Sequence, residues 1–239
     1  MEKVTVLGAG SWGTALSMVL AENGHDTLLW TNRAEQAREI NEQHTNSQYI
    51  NNIKLPENLK ATTDLFVAAN HGDTLVVAVP TKAIREVCSK LNDVLQKEKL
   101  FVHVSKGIEP DTLLRISEFM KETLKPELLS NLVVLSGPSH AEEVVLQHPT
   151  TVSAACENLQ AAEKVQDLFM NHYFRVYTND DVLSVELGGA LKNVIALAAG
   201  IIDGLQYGDN AKAALITRGL AEISRLGEKM GGNPLTFSG

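Results

Sequence analysis

The chain has 239 residues, long enough for one large or two small domains around a substantial core. Its 21 Lys and Arg against 29 Asp and Glu leave a formal charge of −8, which argues against nucleic acid or an anionic membrane surface as its main partner. Any phosphate it binds must then be held by local backbone and a few placed cations.

Met1-Glu2-Lys3 runs directly into the short apolar run Val4-Thr5-Val6-Leu7, with no signal-peptide pattern. Gly8-Ala9-Gly10-Ser11-Trp12-Gly13 follows, and after it an alanine- and leucine-rich helix pattern. A strand that turns sharply into a helix needs glycine at the turn. It needs a second where a pyrophosphate approaches the backbone, and a third where the helix packs on the strand. The helix start then offers free N–H groups and the positive end of its dipole to phosphates. Three glycines alone are weak evidence. With a strand before them and a helix after, they read as a nucleotide-binding turn rather than a plain strand–helix turn.

Asn23-Gly24-His25-Asp26 stops the first helix, and Thr27-Leu28-Leu29-Trp30 reads as the second strand. At the end of that strand an NAD site places Asp or Glu to hold the ribose 2′-hydroxyl. Here the residues are Thr31-Asn32-Arg33. With no carboxylate and an arginine able to take a 2′-phosphate, the expectation leans to NADP(H) over NAD(H). The plainer alternative for Arg33 is a solvated helix-start residue.

Residues 34–44 read as a polar helix, and Asn46 to Asn58 as a loop. Thr62-Thr63-Asp64 caps a short helix reaching Asn70. Thr74 to Val79 is a nearly continuous apolar run, as in a parallel strand buried on both faces. Pro80 ends it, and Ala83 to Leu95 has helical periodicity. Leu100 to Val104 is a further strand, followed by Ser105-Lys106-Gly107; Leu132 to Leu135 is another, followed by Ser136-Gly137-Pro138-Ser139. This alternation predicts an α/β fold, a Rossmann-type doubly wound and mostly parallel sheet. Ligands of such sheets lie beyond the carboxyl ends of the strands. Gly8, Pro80, Lys106 and Gly137 all fall at such ends and so converge on one crevice. Lys106 there is placed to hold a phosphate or polarise a carbonyl. Gly137-Pro138-Ser139 presents a backbone N–H at Ser139, or is simply a turn that caps the next helix.

Thr151 to Ala155 and Tyr173 to Thr178 read as two more strands around a helix from Leu159 to Met170. The pattern then changes. Asp180-Asp181 is an N-cap, one long helix pattern runs on to Gly204, and a second runs from Asn210 to Lys229. We therefore expect a dinucleotide-binding domain over residues 1–180 and the start of an all-helical second domain over 181–239. The longest apolar segment, Val194 to Ile202, falls below membrane-spanning length. Cys88 and Cys156 have no metal-ligand spacing and read as buried thiols in a reducing compartment. The seven histidines show no metal spacing either. A cytoplasmic protein with no membrane span and no metal is expected.

Lys192 stands out in the first long helix. Residues three and four apart share a helix face, and its face carries Val185, Gly188, Gly189, Ile195, Ala196 and Ala199, none of them charged. A lysine so placed exchanges protons nearer neutrality than usual; the alternative is a snorkelling lysine at a helix contact. His103 lies inside an apolar strand and reads as a satisfied core residue. His140 is nearer the crevice, with no carboxylate in view to orient it as a base.

Gly8-Ala9-Gly10-Ser11-Trp12-Gly13-Thr14-Ala15, Val104-Ser105-Lys106-Gly107, Ser136-Gly137-Pro138-Ser139-His140-Ala141-Glu142, Glu186-Leu187-Gly188-Gly189-Ala190-Leu191-Lys192-Asn193 and Gly208-Asp209-Asn210-Ala211-Lys212-Ala213-Ala214-Leu215 follow one another along the chain. Together they resemble the bacterial NAD(P)-dependent glycerol-3-phosphate dehydrogenases. The resemblance implies reversible reduction of dihydroxyacetone phosphate to sn-glycerol 3-phosphate, feeding phospholipid synthesis. It implies that Ser11, Trp12, Arg33, Lys106 and Ala141 contact NADP or NAD beside the turn glycines Gly8, Gly10 and Gly13. Lys106, Gly137, Ser139 and Lys192 would contact the substrate, with Lys192 as proton donor and acceptor. The family continues past the point where this chain stops, Ser238-Gly239, with an Asp and an Arg-Asn pair among its further substrate ligands. The expectation is therefore a C-terminally truncated member that binds dinucleotide and turns over little. The expected partner is a small molecule, with room for a homodimer. Two rivals stand beside this reading. One is a non-catalytic NADP(H)-binding module, against which Lys192-Asn193 argues. The other is a related Rossmann hydroxyacid dehydrogenase, against which the phosphate setting of Lys106 and Gly137 to Ser139 argues.

Overall fold

The computed structural model describes residues 1–238; Gly239, with which the chain ends, lies outside them. Among the described residues, eight strands form one sheet: β1 (Lys3–Leu7), β2 (Asp26–Trp30), β3 (Lys60–Thr62), β4 (Thr74–Val77), β5 (Lys99–His103), β6 (Leu129–Ser136), β7 (Thr150–Ala155) and β8 (Phe174–Asn179). Their order is β3-β2-β1-β4-β5-β6-β7-β8. Every neighbouring pair is parallel except β6 and β7, which run antiparallel. The chain winds outward from β1 to β3, returns to lay β4 against β1, and winds the other way. The crevice of a doubly wound sheet opens where that order reverses, here between β1 and β4.

The central strands are apolar because both faces are covered. Val76 points into one core layer with Val4, Val6, Leu16 and Val102, while its neighbours Leu75 and Val77 point into the other with Leu7, Ile84, Leu91 and Phe101. That alternation is the strand period of two. The layers are closed by the helices α1 (Ser11–Glu22), α2 (Ala34–Gln43), α3 (Leu65–His71), α4 (Thr81–Val94), α5 (Ile116–Thr123), α6 (Ala141–Val145) and α7 (Leu159–Phe169). Asp64 caps α3, accepting from Val67 N at 3.1 Å. Of these strands and helices, the three-residue β3 and α5 lie outside the sequence expectation, and the turn at Ser139 leads into the short α6. The strand expected to reach Val79 stops at Val77, because Ala78 turns out to meet the glycine turn.

The last helices, α8 (Val182–Gly204) and α9 (Asp209–Lys229), pack as a hairpin. They cross at Gly219, where an added Cβ would lie 2.5 Å from the Ile195 side chain. Only the first half of α8 is docked: Ser184, Glu186, Leu187 and Gly189 are buried, whereas Val194, Leu197 and Ile201 are exposed. The expectation about membrane length needs correction here. Val194 to Ile202 is part of a 23-residue helix that is, by length and composition alone, long and apolar enough to cross a membrane. Two of its side chains, Glu186 and Lys192, are nonetheless bonded to groups of the sheet domain.

The tightest packing is at the first turn. A Cβ on Gly13 would lie 1.9 Å from Gly8 O, whereas a Cβ on Gly10 would meet no described atom within 4 Å. Gly13→Ala is therefore expected to destabilise by about 1–3 kcal/mol, as overpacking does, and Gly10→Ala by less than about 0.5 kcal/mol. Chemical denaturation of both variants checks this; equal losses would contradict the packing described.

Candidate active site

A cleft of about 740 Å³ opens at the β1/β4 reversal, within the range of cofactor pockets. Its walls are residues 8–12, 30–33 and 78–81, the inner face of α4, and Lys106, Ser139 and Ala141. The three glycines divide the work at its floor. Gly8 has φ +117 and an added Cβ there would sit 2.8 Å from Ala78 O. Gly13 lets α1 lie directly on Gly8. Gly10 faces open space and is the extended N-cap of α1. Among the described residues no side chain caps α1, and its first turn holds no acidic residue. The first-turn N–H groups and the positive end of the dipole are left for a ligand, which is the arrangement a pyrophosphate requires.

The turn is braced from α2 and from the segment after it, which read only as loop. Ala9 O accepts from Gln36 Nε2 at 2.7 Å and from Asn46 Nδ2 at 3.0 Å, and Asn46 also donates to Thr14 Oγ1 at 2.8 Å. Gln36 is tied in turn to Thr31 Oγ1 at 2.5 Å, and Ser11 Oγ donates to Tyr49 O at 3.1 Å. Asn46 is almost fully buried. Arg33 stands at the rim as the N-cap residue of α2, its guanidinium donating to Gln48 Oε1.

Of the expected residues, Gly8, Gly10, Ser11, Trp12, Arg33, Lys106, Ser139 and Ala141 line this cleft. Gly13 lies beneath the turn. Gly137 and Lys192 stand beside the cleft, at the end of β6, and are joined to it through Ser139 and Lys106. Lys192 Nζ donates to Gly137 O at 3.0 Å, Ser139 Oγ donates to the same carbonyl at 3.2 Å, and Lys106 Nζ is 3.5 Å from Ser139 Oγ. Lys106 Nζ also lies 5.5 Å from the centre of the Trp12 ring. Helix α8 reaches this place because Gly189 has no side chain: a Cβ there would be 2.5 Å from Ser136 Oγ.

Both lysines hold their protons weakly. Burial pulls Lys106 down to about 8, and the charge of Lys192 adds to the effect. Burial also lowers Lys192. Lys106, placed to hold a phosphate or polarise a carbonyl, is thus itself strongly perturbed as long as no anion lies beside it.

Two histidine expectations change. His103 is buried but not satisfied: neither ring nitrogen has a hydrogen-bond partner among the described residues. Its Nε2 lies 3.0 Å from Glu186 Oε1, out of hydrogen-bonding alignment. Glu186, which opens the Glu186-to-Asn193 motif but was given no role there, also binds Arg115 Nη1 at 2.7 Å, Ser117 Oγ at 2.6 Å and Ser117 N at 2.8 Å. His140 does have a carboxylate, Glu142, 2.7 Å from its Nδ1, but the pair is exposed, with His140 at 70%.

Two family models match the chain. The N-terminal model of the NAD-dependent glycerol-3-phosphate dehydrogenases matches residues 3–162, and their C-terminal model matches residues 181–239. A protein of Lysinibacillus sphaericus (strain C3-41) named glycerol-3-phosphate dehydrogenase, NAD(P)+, is 74% identical over 239 residues, covering 100% of this chain and 71% of its own. One of the same name from Bacillus subtilis (strain 168) is 64% identical, covering 100% of this chain and 69% of its own. The crystal structure of glycerol-3-phosphate dehydrogenase from Coxiella burnetii superimposes with a TM-score of 0.91 at 37% identity, over 100% of this chain and 72% of that one.

A bound anion beside Lys106 pushes its pKa back up. Well below pH 8 the lysine is charged with or without ligand and no proton moves; near and above pH 8 binding takes up a proton, so affinity for the anion falls as pH rises. Calorimetry of dinucleotide binding at pH 8, in two buffers of different ionisation enthalpy, reads that uptake, and Lys106→Met should abolish it. No uptake at pH 8 would rule out this role for Lys106.

Proposed function

The chain belongs to the family of NAD-dependent glycerol-3-phosphate dehydrogenases, and from that membership we propose how its own residues carry the reaction. The protein is an oxidoreductase that reduces dihydroxyacetone phosphate to sn-glycerol 3-phosphate with NAD(P)H, reversibly, and so supplies the glycerol phosphate of phospholipids. The observation that carries the assignment of roles is the meeting of Lys106, Ser139, Gly137 and Lys192 beside the glycine turn.

Bound nicotinamide supplies a hydride to the ketone carbon. The turn N–H groups of α1 take the pyrophosphate, with Gly8, Gly10 and Gly13 making room for it, and Ser11, Trp12 and Ala141 wall the dinucleotide in. The carbonyl oxygen of the substrate becomes an alkoxide and needs a proton as it forms. Lys192, hung on Gly137 O and partly withdrawn from water, gives that proton. General acids of this kind contribute about 10²–10⁴-fold. In the reverse direction its neutral form takes the proton back. Lys106 and Ser139 hold the substrate, Lys106 as the cation whose charge an anion restores. Arg33 at the end of β2 favours a 2′-phosphate, and we read the preference as NADP(H).

Two coarser assignments go with this reading. The change of architecture at α8 supports a division near residue 180 into a dinucleotide-binding and a helical substrate domain. Free, buried Cys88 and Cys156 suit a reducing cytoplasm.

The reading is tested by following nicotinamide absorbance with dihydroxyacetone phosphate and with unphosphorylated dihydroxyacetone. Oxidation with the first and little with the second is expected; equal rates would exclude a phosphate site. In a full-length version, Lys192→Ala should lower kcat by about 10²-fold or more and leave NADPH affinity unchanged, and a near-normal kcat would remove it as the acid. Arg33→Ala should weaken NADPH by about 1–3 kcal/mol and NADH much less. Equal weakening of both would mean that Arg33 does not read the 2′-phosphate.

A further inference from the structure

Behind the two lysines lies a buried ion cluster that the reaction as described does not use. Its centre is Glu186 of α8, whose side chain is 4% exposed. Arg115 Nη1 and Ser117 Oγ donate to its Oε2, Ser117 N donates to its Oε1, and His103 Nε2 stands 3.0 Å from Oε1. Glu118 takes the outer nitrogen of Arg115 at 2.8 Å. These partners come from the end of β5, three residues before Lys106, and from the start of α5. Glu186 itself is six residues before Lys192, about 9 Å along the same helix axis. One carboxylate therefore joins the strand that leads into one lysine to the helix that carries the other.

The cluster's contribution is better understood as placement than as adhesion. Buried ion pairs are desolvated at a cost that often cancels their attraction, and apolar residues of the same shape would hold the helix as firmly. Directional bonds do something that apolar contact cannot: they fix the rotation and slide of α8. The docked part of α8 ends at Gly189, so Lys192 stands just beyond it and takes its position from it. The carboxyl of Glu186 is held down to about 2: burial draws it upward, and the His103 ring with the Ser117 hydroxyl and amide outweighs that. Facing Lys192 across the site is Lys106; facing Glu186 are His103 and Arg115, with Glu118 behind the latter.

We infer that Glu186 is a positioning residue for the reduction: clamped by Arg115 and Ser117, with the His103 ring lying against it, it sets the seating of α8 that keeps Lys192 on Gly137 O and beside Lys106. The inference rests on Lys192 being the proton donor. Glu186→Gln keeps the shape of the side chain and removes the charge that the clamp grips.

Glu186→Gln is expected to lower kcat roughly ten- to a hundredfold, as misplacement of a reacting group does, with NADPH affinity unchanged. In a Lys192→Ala background the same substitution should cost nothing further, within about twofold. A readout that needs no turnover is competitive acylation of lysines across pH, followed by mass spectrometry: in Glu186→Gln, Lys192 becomes hydrated and its apparent pKa rises, and the basic limb of the kcat profile moves to higher pH with it. A lower Tm with unchanged kcat and unchanged Lys192 reactivity would overturn the inference, as would a full additional loss in the Lys192→Ala background. If Lys192→Ala alone keeps its kcat, the assignment of the acid fails and this inference fails with it; a large Lys192→Ala effect with none from Glu186→Gln overturns this inference alone. If Glu186→Gln does not fold, Arg115→Gln, at the outer side of the cluster, is taken through the same measurements.

Discussion

Helix α1 lies on the ends of β1 and β4 with no room for a side chain at Gly8 or Gly13, and the site is arranged around that contact. Because the backbones touch there, the helix starts at the one point of the sheet where strand order reverses. Its first N–H groups then open into the crevice instead of into protein. The bracing of Ala9 O by Gln36 and Asn46 serves the same end. A turn held only by glycines is permissive in φ and ψ; two amide donors on one carbonyl fix it in the orientation that leaves the neighbouring N–H groups free. The rim at the end of β2 is joined to the same network through Thr31, so the turn and the rim of the cleft are held by one set of bonds.

A chain with a net charge of −8 gathers cations where it needs them, and their proximity has a consequence. Burial disfavours the charge of both Lys106 and Lys192, and the charge of Lys192 adds to the effect on Lys106. Such a pair is uncomfortable without an anion and comfortable with one. The same arrangement that would suit a phosphate also leaves both lysines holding their protons less firmly than a solvated lysine does. Recognition and proton transfer are thus two effects of one electrostatic situation, divided between two residues by what each touches.

Much of this was legible in the residues. The apolar runs of β1, β4 and β5 announce strands covered on both faces, and the glycine spacing announces the turn. Lys106 and Gly137 could be placed because a strand end is a fixed location in a doubly wound sheet. What stayed hidden has physical reasons. Strand β3 is three residues long with one of them buried, too short for a period to appear. The antiparallel pairing of β7 leaves no mark, since an apolar strand reads alike in either direction. Asn46 and Gln36 act on a backbone carbonyl far away in sequence, and a backbone carbonyl carries no residue type to search for. Glu186 was missed for a geometric reason. At about 100° per residue, six residues bring the chain round to a position about 120° from Lys192. A search along the stripe of Lys192 therefore passes over Glu186, although the docked end that carries it lies one turn before Lys192 on the same helix.

That last relation bears on how a helix can serve chemistry. The exposed half of α8 is apolar, with Val194, Leu197 and Ile201 open to its surroundings, and apolar attraction is non-directional. A helix seated by such contacts alone can turn by tens of degrees at little cost, and a lysine at its surface would swing with it. The half that docks on the sheet is built otherwise: a glycine that admits one depth of approach, and a carboxylate that admits one rotation. Depth and rotation are the two freedoms that decide where the next turn of helix points. The chain spends its two exceptional residues, Gly189 and Glu186, immediately before the lysine whose position they determine.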